Sequence, residues 1–270
     1  MSPSSDPLPP EFADALARAR HRLEPLGRRV LFFETVGSTN DAALALADEP
    51  GSEGAIVVAD AQTEGRGRQG RTWFSPPGSG LYVSVLLRLS GVNAHADRAT
   101  GLLTLAAAVA LSESIEAVTA LRPEIKWPND LLVGRRKVAG ILAEAATADL
   151  RTIVLGYGIN VRGNAYPLEI RDRATSIESE LGRPIDRAML LAETLVAISG
   201  GYRDLLRGRF DAILDRWRVR APSIHGARIT WNTPAGRRSG VTAGIDDRGA
   251  LLVRGGDRLE RIVGGEVTWL

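Results

Sequence analysis

EIKWPNDLLV (124–133), KVAGILAEA (137–145) and TIVLGYGINV (152–161) follow one another as three β-type runs with short gaps between them. Parallel neighbours would need a crossover of a dozen or more residues, so this region predicts a mixed or antiparallel sheet and not repeated βαβ units. Outward from it, 29–34, 55–61 and 81–89 also read as strands. Residues 11–23, 41–47 and 98–120 carry helical spacing, and 186–217 is mostly helical. After Ala221-Pro222 the texture changes to short β-runs (ARITW, GVTAGI, ALLVRG, EVTWL) broken by turns such as Asp246-Asp247-Arg248-Gly249. The expectation is an α+β chain: a tail and helix over 1–28, a mixed-sheet domain flanked by helices over 29–221, and a small SH3-like β-barrel over 223–270.

Among 270 residues, 34 Lys+Arg face 32 Asp+Glu, giving a net charge of +2, with three histidines and no cysteine. Without Cys there is no disulfide framework, thiolate nucleophile or Cys-ligated metal. The histidines (His21, His95, His225) lie too far apart in sequence for an HxxH-type site. Near-balanced charge argues against general nucleic-acid affinity. Asp6, Glu11 and Asp14 stand where a signal peptide needs an apolar run. The longest apolar stretch, around 101–111, is too short to span a bilayer, so a soluble cytoplasmic protein with no membrane contact is expected. Only two lysines, Lys126 and Lys137, occur among the 34 basic residues.

Within 65–71 (GRGRQGR) three glycines and three arginines alternate. Glycine permits close backbone approach, and arginine offers a planar charged fork for carboxylate or phosphate. The pattern is neither a P-loop nor a dinucleotide fingerprint, and it predicts an anion-binding loop that orders around its ligand. Lys137 stands at the mouth of a strand with small residues behind it. Strict alternation puts Lys137, Ala139 and Ile141 on one face and Val138, Gly140 and Leu142 on the other. A compact ammonium here, in a chain that otherwise uses arginine, suits a ligand site. Ser38-Thr39-Asn40-Asp41 fits a capping box before a helix, or a set of hydrogen-bonding groups for a polar ring. Gly156 and Gly158 interrupt an apolar strand, which implies either a bulge or close approach of a ligand, with Asn160 beside it.

Together these segments resemble the biotin–protein ligases: STN at 38–40, Gln62 with GRGRQGRTW at 65–73, KWPNDLL at 126–132, KVAGILAE at 137–144 and GYGINV at 156–161, then GIDDRGALLV at 244–253 and GGEV at 264–267. The resemblance implies a catalytic sheet of the class II aminoacyl-tRNA synthetase/biotin ligase type. It implies ATP and biotin as substrates with Mg²⁺, formation of biotinyl-5′-AMP, and transfer to a lysine of the biotin carboxyl carrier protein or domain of a biotin-dependent carboxylase. Lys137 and Arg68 would be catalytic. Ser38, Thr39, Asn40, Gln62, Arg66, Gly67, Arg68, Trp73 and Lys137 would bind biotin. Arg66, Arg68, Arg71, Lys126, Asn129 and Asn160 would face the nucleotide, and Asp130 would neighbour a metal. Tyr157 departs from the small or aliphatic residue expected between the glycines, and a ring facing the site would reshape the adenine pocket. Fewer than forty residues precede Ser38, with one helix among them, so the resemblance points to the enzyme-only form without DNA binding, with room for a homodimer. A lipoate or octanoate ligase or transferase of the same fold is the alternative within the class. An RGG-type nucleic-acid module is the alternative outside it.

Overall fold

The computed structural model describes residues 5–89, 95–146, 151–163, 166–234, 236–256, 258–265 and 267–270. The first four residues of the expected tail and Glu266 of the GGEV motif lie outside the described residues. In chain order the elements are α1 (Pro10–Leu23), β1 (Val30–Val36), α2 (Thr39–Leu44), β2 (Ile56–Gln62), β3 (Gly80–Arg88), α3 (Ala96–Thr119), β4 (Glu124–Lys126), β5 (Asp130–Val133), β6 (Arg136–Ala145) and β7 (Thr152–Asn160). They continue as α4 (Ile177–Leu181), α5 (Arg187–Leu206), α6 (Phe210–Arg220), β8 (His225–Thr233), β9 (Gly236–Ile245), β10 (Leu251–Gly255), β11 (Arg258–Ile262) and β12 (Val267–Trp269). The run 124–133, read as one strand, is two, because Trp127-Pro128-Asn129 turns the chain back on itself so that β4 pairs antiparallel with β5.

Seven strands form a mixed sheet in the order β1-β2-β3-β7-β6-β5-β4. Only β1 and β2 run parallel, and every other neighbouring pair is antiparallel. The short gaps after β5 and β6 allow nothing else. A second, five-stranded antiparallel sheet, β11-β10-β9-β8-β12, takes up the C-terminal β-runs.

The two faces of the large sheet differ in cover. Val83, Val85, Leu155, Tyr157, Ile159, Ala139 and Ile141 point toward α1, α3, α5 and α6 in the main core. The opposite face carries a smaller cluster, in which Phe33, Val57, Leu86 and Val154 lie under Ala42, Ala43 and Leu46 of the α2 segment. Where the sheet runs out from beneath α2, the residues on that face become Ser84, Gly156, Gly158 and Gly140. That change from bulk to small residues opens the cleft described below.

α3 corrects the reading of its apolar stretch. Its 24 residues are long and apolar enough to cross a membrane by length and composition, since a helix rises 1.5 Å per residue. Two thirds of its most apolar window is buried inside the protein, however, and Ala99, Leu102, Leu111 and Ile115 are fully enclosed. It is the central core helix, whose alanines let α5 pack closely.

Candidate active site

The cleft is open to solvent, and the empty space in and above it amounts to about 460 Å³. Its walls bring together Ser38, Thr39, Asn40, Gln62, Arg66, Gly67, Arg68, Trp73, Asn129 and Lys137, ten of the expected site residues, from segments spread across a hundred positions. At one end, buried polar groups form a connected seat. Gln62 Oε1 accepts from the Thr39 amide at 2.9 Å and the Thr39 hydroxyl at 3.1 Å, while Gln62 Nε2 donates to Ser75 Oγ at 2.9 Å. The Ser84 hydroxyl donates to Asn40 Oδ1 at 2.6 Å and lies 2.9 Å from the Thr39 hydroxyl. Ser38 occupies the N-cap position of α2 but caps nothing with its side chain. The capping-box reading therefore fails, and Asp41, its supposed partner, pairs with Arg66 at 2.6 Å instead.

Residues 65–73 fold into a tight hairpin. The Trp73 amide donates to Gly65 O at 2.8 Å and the Gly67 amide to Arg71 O at 2.7 Å. Gln69 and Gly70 adopt positive φ at its tip. Gly65 is required by proximity, since a Cβ there would lie 2.5 Å from Trp73 O. The Trp73 indole lies on the glycines of β6 and β7, where a Cβ on Gly158 would meet Nε1 at 2.3 Å and one on Gly140 would meet Cζ3 at 2.9 Å. β7 keeps regular register through Gly156 and Gly158, so its glycines serve close approach and not a bulge.

The bulge lies in β6. Leu131 pairs with Ala139 but Leu132 pairs with Lys137, so Val138 is an extra residue. The bulge corrects the alternation expected for this strand. Lys137 shares the cleft face with Gly140, whose Cβ would lie 3.1 Å from Lys137 Nζ, while Val138 joins the core. Lys137 Nζ lies 2.6 Å from Asp130 Oδ1 and 5.1 Å from the Trp73 ring centroid. Arg68 Nη1 donates to Asn129 Oδ1 at 3.2 Å, and Asn129 Nδ2 to Ile141 O at 2.7 Å.

Four expected residues do not line the cleft. Asp130 holds Lys137. Asn160 donates to Thr175 O at 2.9 Å and Lys137 O at 3.4 Å, which ties the backbone of Lys137 to the chain returning at 173–175. Lys126, part-buried on β4, and Arg71, exposed on the hairpin, do not line the cleft either. Burial pushes the Lys126 ammonium below its ordinary value; Asp130 opposes this, and Lys137, Arg173 and Arg71 reinforce it. Burial likewise lowers Arg68, with Asp130 opposing and Arg71 adding to the shift. Arg68, Lys126 and Lys137 thus face Asp130, and Arg71 and Arg173 add positive charge to the same cluster, an arrangement that favours an incoming anion. The Tyr157 ring turns away from the cleft into the core, with its hydroxyl 3.1 Å from Thr194 Oγ1, and burial pushes its pKa up.

Sequence reasoning missed Ser84, Glu144 and Arg173. Ser84 was detectable as the one small polar residue set between Val83 and Val85 in the strand GLYVSVLLR. Arg173 gave no local signal, because it reaches Lys126 only through the return of 173–175 alongside Lys137.

Residues 32–160 match the Biotin/lipoate A/B protein ligase family, and residues 224–268 match the Biotin protein ligase C terminal domain. The chain is 34% identical over 263 residues to the bifunctional ligase/repressor BirA of Bacillus subtilis (strain 168), covering 96% of this chain and 79% of the relative. The chain belongs to the biotin protein ligase family. It is accordingly an enzyme of the ligase class. The biotin–[acetyl-CoA-carboxylase] ligase of Paracoccus denitrificans is 35% identical over 226 residues, 81% of this chain and 91% of the relative. The biotin protein ligase of Aquifex aeolicus in complex with biotin and ATP superimposes with a TM-score of 0.77 at 29% identity, covering 90% of this chain and 99% of that one.

Proposed function

We propose that this ligase condenses biotin with ATP to biotinyl-5′-AMP and pyrophosphate, then transfers the biotinyl group to a lysine of a biotin carboxyl carrier domain. The observation that carries this reading is the cluster of Arg68, Lys126 and Lys137 around Asp130, with Arg71 and Arg173 nearby, beside a seat of buried hydrogen-bonding groups. The complex of the Aquifex aeolicus enzyme with biotin and ATP, and the carboxylase named for the Paracoccus denitrificans relative, support it.

In the first step a biotin carboxylate oxygen bonds to the α-phosphorus as the bond to pyrophosphate breaks. Two anions must meet, and at about 4 Å unit charges repel by roughly 4 kcal/mol at an effective dielectric near 20. Lys137 and Arg68 offset that repulsion most in the transition state, which is what accelerates the step. Ser38, Thr39, Asn40 and Gln62 take the ureido head, Trp73 covers the apolar part of the ligand, Asn129 faces the nucleotide, and Asn160 acts behind the cleft by holding the backbone of Lys137. In the second step the acceptor amine attacks the acyl carbon, AMP leaves with the electron pair, and the amine gives up a proton. The substrates supply both nucleophiles, so a chain without cysteine is no obstacle.

Magnesium accompanies ATP phosphates and would add charge neutralisation there. Among the described residues no three Asp, Glu or His side chains gather to hold an ion, and an Asp130 oxygen is occupied by Lys137. This donor set does not fit a protein-held metal, and no step is assigned to one.

ATP–pyrophosphate exchange tests the proposal. Exchange that requires biotin is the expected result. Exchange driven by lipoate, or none with any acid, would overturn it.

A further inference from the structure

Glu144 ends the KVAGILAE motif, yet it lies outside the lining of the cleft and has no part in the chemistry above. One of its oxygens, Oε2, accepts from two partners: Asn40 Nδ2 at 2.6 Å and Arg66 Nη2 at 2.9 Å. Asn40 is only 4% exposed and fixed from below, because Oδ1 takes the Ser84 proton and sits where any side chain at position 156 would stand, 2.0 Å from a Cβ there. Arg66 belongs to the hairpin and has one further anchor, Asp41 at 2.6 Å.

We propose that Glu144 is a positioning residue that latches the 65–73 hairpin to the Asn40 seat, so that recognition of the ligand's head and closure of the hairpin over its carboxylate end become one event. The inference rests on the ligase reading for the identity of that ligand. An isolated ion pair between side chains 37% and 28% exposed would contribute little. Here the carboxylate oxygen is shared with a buried amide, which makes it a joint in a network. Asp41, by contrast, holds Arg66 from outside the Asn40–Glu144 contact, so the two acids separate the functions: losing Asp41 loosens the hairpin, whereas losing Glu144 loosens the hairpin and the seat together.

Glu144→Gln and Asp41→Asn, each checked for native far-UV circular dichroism, form the test. Without ligand, an arginine-specific protease should cleave both variants at Arg66, Arg68 or Arg71 about fivefold faster than the unsubstituted protein. In ATP–pyrophosphate exchange, Glu144→Gln should raise the KM for biotin about tenfold while lowering kcat far less, the effect of losing one charge-assisted contact. Asp41→Asn should leave that KM within about twofold. Unaltered proteolysis of Glu144→Gln would overturn the latch, as would equal shifts in KM for the two variants. The ligand-free arm is independent of the substrate. If the unsubstituted protein shows no biotin-dependent exchange, the ligase reading fails while the proteolysis still decides whether Glu144 holds the hairpin.

Discussion

Lys137 Nζ lies 2.6 Å from Asp130 Oδ1, and the two residues reach each other across neighbouring strands only because the bulge at Val138 turns the lysine onto the cleft face. The pair gives the lysine a fixed direction, and it places a negative charge beside a site built for anions. Removing the lysine alone therefore does two kinds of harm.

Lys137→Ala should lower biotin-dependent ATP–pyrophosphate exchange by at least about a thousandfold, part of it through the unpaired Asp130 carboxylate that then faces the substrates. Lys137→Ala combined with Asp130→Asn should recover about tenfold of that loss. A double variant no better than Lys137→Ala would show that Asp130 does not oppose the incoming anions.

Gly158→Ala places a methyl 2.3 Å from Trp73 Nε1 and must expel the indole from the cleft. Isothermal titration should show biotin affinity weakened by about tenfold or more, with the unfolding midpoint nearly unchanged because the added methyl faces the cleft and not the core. Retained affinity would mean that Trp73 is not the wall of the ligand site.

Tyr157→Phe should behave in the opposite way. Its hydroxyl bonds Thr194 in the buried core, so the substitution should cost about 1 kcal/mol in denaturant unfolding and leave exchange kinetics in place. A changed KM for ATP would show that the ring shapes the nucleotide site after all.

Asp246 organises the turn between β9 and β10. It accepts from the Arg248 and Ala250 amides, both at 2.9 Å, and from Arg261 Nε at 2.6 Å. Burial pushes its carboxyl up, but those donors outweigh it and the net shift is downward. A carboxylate depressed in the folded state stabilises above its unfolded value, near about 3.9, and that contribution disappears as pH falls through the folded value. Asp246→Asn should thus be less stable by about 1–2 kcal/mol at neutral pH, and the gap between the two thermal midpoints should start to narrow near about pH 4 and close only once pH has fallen through the depressed folded value. A gap independent of pH would exclude the charge as its source.

The strands and the order of the site motifs were legible because both are local properties: a period of two, a turn at Asp246-Asp247-Arg248-Gly249, a cluster of Gly and Arg. What escaped depends on how segments meet. Strict alternation put Lys137 with Ala139, and one extra residue inverted that parity. Asp41 looked like a helix cap because spacing along the chain gives no hint that Arg66 would arrive from the hairpin. Tyr157 looked like an intruder in the site because the pattern shows which residues share a face, and cannot show that this face meets α5. Glu144 ends its motif as an ordinary exposed acid, and only the position of Asn40 above β6 and β7 makes it a joint.

The indole nitrogen of Trp127 donates to Gly249 O at 3.0 Å, Arg98 Nε donates to Asp247 O at 2.9 Å, and Arg68 Nη2 reaches Gly265 O at 3.5 Å. The C-terminal sheet thereby holds the turn that carries Asn129 and helps to aim an arginine of the site. A chain cut before β8 would keep the large sheet but leave a buried indole N–H without its acceptor, and catalytic competence would fade before the fold did. The smaller sheet works as a brace whose loosening would register as lost turnover while the larger sheet was still intact.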